Sequence, residues 1–439
     1  MQIRLTSMEL NNFKNVQFGR ISMPSNVRPG DTEMTADILG IYGQNGSGKT
    51  AVTDMLSFVK LLVSGDSLPS DITDYITKGE DSATILCAFT AKTEQVCFHV
   101  KYSFTICSHG EHPLCGERLV ILSDGKRTRI GGIEYSAEKA NVFYPKRAWS
   151  RKGEAAVELE VEKRICLHEN RSCIFSDKTG SLLYAEGSTE KIITDAMRTF
   201  ARSSFYVIRA DSYTKEDAKI EFVLPEDTPS ASCEVKLKEP TVLPLGDYDG
   251  FLRVLHSMNT VLRVILPGFS VQLHEFGREI MRDGRDGMRF ELMTGRNGIS
   301  VPIRYESEGI KKIISVINLL IGMYNNYQMC VVIDELDSGV FEFLLGELLS
   351  CMEESGRGQL IFTSHNLRPL EMIDNAALIF TTTNPNNRYI RIQERTKNLR
   401  NSYLRHITLG GLREEIYEPV NTPAIAQALR KCRKEDADE

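Results

Sequence analysis

The sequence predicts an α/β fold with a mixed sheet at its centre, and three stretches carry that prediction. The first is the apolar run Ile38 to Tyr42, a buried strand that leads into Gly43-Gln44-Asn45-Gly46-Ser47-Gly48-Lys49-Thr50. After it, Val52, Met55, Leu56, Val59, Leu62 and Val63 recur at helical spacing. The second is Met329 to Ile333, another buried strand, which ends in Asp334, Glu335 and Asp337. The third is Gln359 to Thr363, which ends at Ser364-His365-Asn366. Strands alternating with helices, each with its polar motif at the carboxyl end of a strand, are the pattern of an open α/β sheet.

The glycine-rich stretch satisfies G-x-x-x-x-G-K-[ST] between a strand and a helix, the context a phosphate-binding loop requires. An ordinary Gly-rich turn is the alternative, and that context disfavours it. Gly43, Gly46 and Gly48 let the loop's backbone N–H groups, those of Asn45 and Ser47 among them, turn toward one centre. The following helix points its positive end there. Lys49 is expected to reach the β- and γ-phosphates of ATP, and Thr50 to offer its hydroxyl to Mg²⁺. Two acids at a strand tip supply the partner: Asp334 for the Mg²⁺ shell, and Glu335 to orient or deprotonate the attacking water. A helix cap beside a solvated charge is the plainer reading of the acids alone. His365 is placed to contact the γ-phosphate.

Taken in order, residues 1–24 read as two strands around a turn at Asn11 to Asn15, and residues 25–35 as a loop. Beyond the first helix, which ends near Ser64, short β runs at 84–89, 96–100, 119–122 and 157–161 predict a flanking antiparallel sheet. Ile192, Ile193, Ala196, Met197 and Phe200 form one helical stripe, and Leu252 to Leu262 form another that stops at Pro267-Gly268. Between them, residues 209–247 hold prolines and charges and read as a loop or lid. Neither helix carries a long heptad pattern, so no extended coiled-coil arm is expected. Asp283 to Gly287 marks a hairpin turn. The expected division is 1–187 for an N-terminal lobe, 188–267 for an inserted helical or irregular segment, and 268–439 for a C-terminal lobe.

The order of motifs resembles the ABC-type ATPase head shared by chromosome-maintenance, RecF-like and OLD-like proteins. That order is P-loop, inserted lobe, Ser307-Glu308-Gly309 opening a helix, apolar-Asp-Glu, and then Ser-His. The opening Leu10-Asn11-Asn12-Phe13-Lys14-Asn15 is similar to the start of such heads. The stretch Asn398 to Arg405, with Leu409-Gly410-Gly411, is similar to the end of stand-alone bacterial ATPases of the abortive-infection and phage-defence type. The resemblance covers about residues 1–64 and 300–415. It implies that Ser307, Glu308 and Gly309 form a signature that binds the γ-phosphate of a partner subunit's nucleotide. Asp337 is implied to sit in a D-loop between two sites, so the chain is expected to form a dimer or a larger oligomer. Three departures stand out: the signature lacks a second glycine before Ile310, Glu306 occupies a position where leucine is usual, and the glutamine expected near Thr77 to Glu80 is missing. Slow or conditional hydrolysis is therefore expected.

The leading functional expectation is an ATP-hydrolysing sensor or scaffold subunit of an anti-phage defence system. It would control a separately encoded effector such as a nuclease, with nucleic acid or a phage protein as trigger. The alternative is a RecF-like, ATP-dependent DNA-binding repair protein. A P-loop kinase is disfavoured by the Ser-His pair and by the distance along the chain from Lys49 to Asp334. A net charge of −6 argues against a globally basic nucleic-acid binder and leaves room for local basic patches. No apolar run approaches a membrane span. The start lacks a secretory layout and the ten cysteines are scattered, so reduced thiols and a cytoplasmic location are expected. Cys107, His109, His112 and Cys115 are zinc-ligand types in a spacing that fits a plain loop better. Lys146, Arg147, Arg151 and Lys152 around Trp149 read as a small basic patch on a solvated loop.

Overall fold

In this computed structural model the described residues are 1–24, 36–123, 129–136, 142–144, 154–210, 212, 218–392, 398–418 and 421–435. The chain opens with the hairpin β1 (Gln2–Phe13) and β2 (Val16–Ser22), then β3 (Asp37–Tyr42) and α1 (Lys49–Ser64). The strands β4 (Ser82–Lys92), β5 (Cys97–Cys107), β6 (Leu114–Ser123), β7 (Arg129–Ser136) and β8 (Val142–Tyr144) follow. Three helices come next: α2 (Glu154–His168), α3 (Asp177–Leu183) and α4 (Thr189–Ser203). After β9 (Phe205–Ile208), β10 (Lys219–Val223), β11 (Ser232–Lys236) and β12 (Thr241–Pro244), the chain enters α5 (Leu245–Ile265). Three more strands, β13 (Phe269–Ile280), β14 (Asp286–Arg296) and β15 (Ile299–Pro302), precede α6 (Glu308–Asn325). The last part runs β16 (Cys330–Ile333), α7 (Glu342–Ser355), β17 (Gln359–Thr363), α8 (Pro369–Met372), β18 (Leu378–Thr381) and β19 (Tyr389–Ile390). It closes with α9 (Leu399–Leu409) and α10 (Thr422–Glu435).

The site hangs on a six-stranded sheet in the order β19-β18-β3-β17-β16-β9, parallel except for β19. Its central strands are buried on both faces, so they read as continuous apolar runs. Because side chains alternate across a strand, these runs divide between two cores. Leu39, Ile41, Val332 and Ile361 join one, shared with α1 and the seven-stranded antiparallel sheet β2-β1-β4-β5-β6-β7-β8. Ile38, Tyr42, Val331, Ile333, Leu360 and Phe362 join the other, under α5, α6 and α7. Within the first core Phe58 of α1 meets Phe13 and Tyr75 edge-on, at 6.0 and 4.9 Å between ring centroids. Phe58→Ala is expected to cost about 3–5 kcal/mol, read by urea unfolding, because the ring leaves a cavity in the first core.

Two sequence expectations are corrected here. Residues 157–161 lie in helix α2, not in a strand. The alternation Val-Glu-Leu-Glu-Val mimics a strand, but Leu159, Glu162, Cys166 and Leu167 are buried, while Val157 and Val161 are exposed. Residues 209–247 are not simply a loop or lid. They contain the ribbon β10–β11 and strand β12, with Ile220, Phe222 and Val235 buried in the second core. Asn318 of α6 donates to the Glu221 carbonyl at 3.0 Å and docks the ribbon. Two of the prolines that suggested a loop, Pro225 and Pro229, stand in the connection between β10 and β11, while Pro240 precedes β12 and Pro244 ends it. Residues 188–267 thus supply α4 and α5, the edge strand β9 and these three strands. The expected loop at 25–35 and the Trp149 basic patch lie outside the described residues. No helix among the described residues is long and apolar enough to cross a membrane.

Candidate functional site

Strand β3 leads into Gly43, and packing dictates the glycine: a Cβ there would lie 1.6 Å from Thr381 Oγ1. The chain then turns through exposed Asn45 and Gly46 to Gly48, the cap of α1. Ser47 Oγ donates to the Gln44 carbonyl at 2.6 Å and accepts from Thr381 Oγ1 at 2.6 Å, so it braces the loop. Lys49 is only 6% exposed, and its Nζ donates to the carbonyls of Gly43 (2.8 Å) and Gln44 (3.0 Å). Burial lowers the pKa of Lys49, while Asp334, Glu335 and Asp337 act in the opposite direction. The sixteen-residue α1 adds the partial positive charge of its N-terminus.

Across from the loop, the buried strand β16 delivers Asp334 and Glu335. Thr363, at the end of the neighbouring β17, holds both. Its hydroxyl donates to Asp334 Oδ1 at 2.6 Å and accepts from the Glu335 N–H at 2.8 Å. Lys312 of α6 closes the turn from behind, donating to the carbonyls of Asp334 (3.1 Å) and Glu335. Burial lowers the pKa of Lys312 against the opposing pull of Glu335, Asp337 and Asp334. Glu335 has φ +50°, a left-handed backbone that costs a non-glycine residue about 1–3 kcal/mol and clusters at functional sites. Asp334 is 2% exposed whereas Glu335 is exposed, so one acid is fixed and its neighbour faces outward.

These elements enclose one cavity of about 490 Å³. Asn45, Gly46, Gly48, Lys49 and Thr50 line one side, and Asp334, Glu335, Thr363 and His365 the other. That size falls within the roughly 300–1,000 Å³ of small-molecule sites. The Thr50 hydroxyl and the Asp334 carboxylate are hard oxygen donors on facing sides, the donor type that Mg²⁺ takes.

The signature residues Ser307, Glu308 and Gly309 are not part of this cavity. Ser307 caps α6, its Oγ accepting from the Ile310 N–H at 3.4 Å, and Glu308 pairs with Lys311 at 3.2 Å. Gly309 lies against Gly339, where a Cβ on Gly339 would come within 2.3 Å of the Gly309 Cα. The unusual Glu306 has a partner of its own, accepting from Thr294 Oγ1 of β14 at 2.6 Å. Asp337, expected between two sites, is engaged within its own chain. Its Oδ2 accepts from the N–H groups of His365 and Asn366, each at 3.1 Å, and so sets the loop that carries His365.

Several residues to which the sequence assigned no role shape the site. The segment Thr77 to Glu80 ties to the β1–β2 turn through Asn12 rather than lining the cavity. Lys14 and Asn15 of that turn line it instead, and Asn15 also donates to the Gly46 carbonyl. A strap from the far end of the chain holds the loop. The Tyr389 hydroxyl donates to the Gly48 carbonyl at 2.8 Å, and Arg388, 8% exposed, donates to the Asn15 carbonyl at 2.7 Å. The Glu418 N–H donates to Gln44 Oε1 at 3.0 Å. The tail stretch beginning at Asn398 packs α9 onto the same end: Tyr403 stacks on Phe380 at 5.0 Å, and Arg400 pairs with Glu371 at 3.1 Å.

The four residues of the weaker zinc pattern do not form a site. Cys107 and Cys115 are joined to each other as a disulfide, which also corrects the expectation of reduced thiols for this pair. His109 faces Asp81 at 3.7 Å. No metal-binding cluster of His, Cys, Asp and Glu occurs among the described residues.

No protein-family profile and no curated protein matches the chain. Among solved structures it is similar to an SmcHead bound to the C-winged helix domain of ScpA, at 14% identity. That match covers 88% of this chain and 98% of that one, with a TM-score of 0.47. It is similar to the Smc head domain with a coiled coil and joint from Pyrococcus yayanosii at 12% identity, over 92% and 100% of the two chains, with a TM-score of 0.46. It is also similar to the recombination mediator protein RecF-ATP at 12% identity, over 83% and 94%, with a TM-score of 0.37. The structures it is similar to are SMC head domains and RecF.

Proposed function

We propose that this chain binds ATP with Mg²⁺ and hydrolyses it in the cavity between the Lys49 loop and the Asp334–Glu335 strand tip. The observation that carries this reading is the convergence of Lys49, Thr50, Asp334, Glu335 and His365 on one space. The backbone N–H groups at the start of α1 and the Lys49 ammonium cradle the phosphates. Mg²⁺, held by Thr50 and Asp334, would supply positive charge against the phosphate oxygens. Exposed Glu335 accepts a proton from the attacking water while Thr363 keeps its backbone and Asp334 in register. His365, set by Asp337, meets the terminal phosphate.

Ser307, on an exposed helix start outside its own cavity, suits contact with nucleotide held by a second copy. Gly309 against Gly339, and Asp337 against the His365 loop, would couple that contact to this chain's own site. Assembly on ATP and release after hydrolysis is therefore the proposed cycle. The resemblance of residues 398–411 to phage-defence ATPases supports a separately encoded effector as its output.

Phosphate release from ATP with Mg²⁺ tests the reading. Wild-type protein is expected to turn over, and absence of both binding and turnover would remove it. Thr363→Val, which keeps shape but loses both bonds, is expected to slow release about tenfold, with Thr363→Ser restoring it.

A further inference from the structure

A buried carboxylate one helical turn beyond Thr50 has two cations where one would suffice. Asp54 of α1 is 0% exposed. Its Oδ2 lies 2.5 Å from Lys14 Nζ and its Oδ1 lies 3.2 Å from Arg209 Nη1. A carboxylate buried this deeply cannot stand unpaired, but with two partners it can release one and keep the other. The two cations differ in what else they reach. Lys14 lines the ATP cavity, while Arg209 is not among the cavity's lining residues and follows β9 beside the Asp334 strand.

Lys14 is also built to swing. Its backbone is fixed, with the N–H donating to the Tyr75 carbonyl at 2.7 Å, while its ammonium rests 5.3 Å from the centre of the Tyr75 ring. Its side chain is 35% exposed, and a flexible four-carbon stem carries the charge.

We propose that Asp54 and Arg209 are positioning residues for Lys14. Asp54 parks the Lys14 ammonium, and Arg209 lets Asp54 release it to a bound triphosphate without leaving a bare buried charge. This rests on the ATP reading of the cavity. Arg209 therefore controls nucleotide affinity from outside the nucleotide site.

The test is calorimetric titration of folded variants with ATPγS and Mg²⁺. Arg209→Met leaves Lys14 as the one remaining partner of Asp54 in this triad, and is expected to weaken binding about tenfold. Arg209→Lys, which keeps the charge, is expected to bind like wild type. Asp54→Asn combined with Arg209→Met is expected to restore wild-type affinity, because the carboxylate charge that held Lys14 back is gone. In a Lys14→Met background, Arg209→Met is expected to have no further effect. Unchanged affinity in Arg209→Met would overturn the proposal. So would a loss that persists with Asp54→Asn or Lys14→Met, since a general disturbance of the fold would not depend on either residue. Wild-type protein that fails to bind ATPγS would instead remove the ATP reading itself.

Discussion

Lys49→Ala is expected to weaken ATP binding about a hundredfold or more, measured by titration with ATP and Mg²⁺. Lys49 is 6% exposed and its ammonium is held by two loop carbonyls, so it is already ordered at the point where phosphates would arrive. A charge-assisted contact to phosphate is worth roughly 1.5–3 kcal/mol, which corresponds to about ten- to hundredfold in affinity. The same substitution also removes the Lys49 bond to the Gly43 carbonyl, which loosens the turn and adds modestly to the loss, while Ser47 keeps its hold on the Gln44 carbonyl. Lys49→Arg is not a rescue, because the larger planar fork does not fit a site with so little exposure. Normal ATP affinity in Lys49→Ala would place the phosphates elsewhere.

Glu335→Gln is expected to bind ATP with near wild-type affinity and to hydrolyse it about 10²- to 10⁴-fold more slowly. The substitution keeps the side chain's shape and leaves the backbone bond to Thr363 in place, so only proton acceptance is removed. The left-handed φ of Glu335 points to the same conclusion, since a residue is held in that conformation when its direction matters. Steady-state phosphate release, with ATP affinity measured in parallel, separates the two effects. Wild-type turnover in Glu335→Gln would assign the water to another group.

What the sequence made legible follows from how locally each feature is written. The strand–loop–helix around Lys49, the Asp334–Glu335 strand tip and the Ser364-His365 pair are contiguous motifs, and the folded chain brings their residues to one cavity. The supports are not contiguous. Thr363, Lys312, Arg388 and Tyr389 act on partners far away in the chain, and no spacing rule marks a buried lysine that caps a strand or a tyrosine that reaches a loop carbonyl. Lys14 stood inside a recognised opening, yet its pairing with Asp54 depends on how the first sheet packs on α1. Residues 157–161 misled because apolar residues alternating with glutamate satisfy a strand pattern, while the buried set Leu159, Glu162, Cys166 and Leu167 follows a helix. The β10–β11 ribbon was hidden by the prolines in its connection.

The most direct test of ATP-driven assembly is the mass of Glu335→Gln protein in solution, by light scattering, with and without ATP and Mg²⁺. The mass is expected to rise to that of a dimer or a larger assembly only when ATP is present, and Ser307→Arg is expected to prevent the rise without affecting ATP binding. A Glu335→Gln protein that binds ATP and keeps the same mass would contradict the two-copy mechanism and leave each chain to hydrolyse ATP on its own.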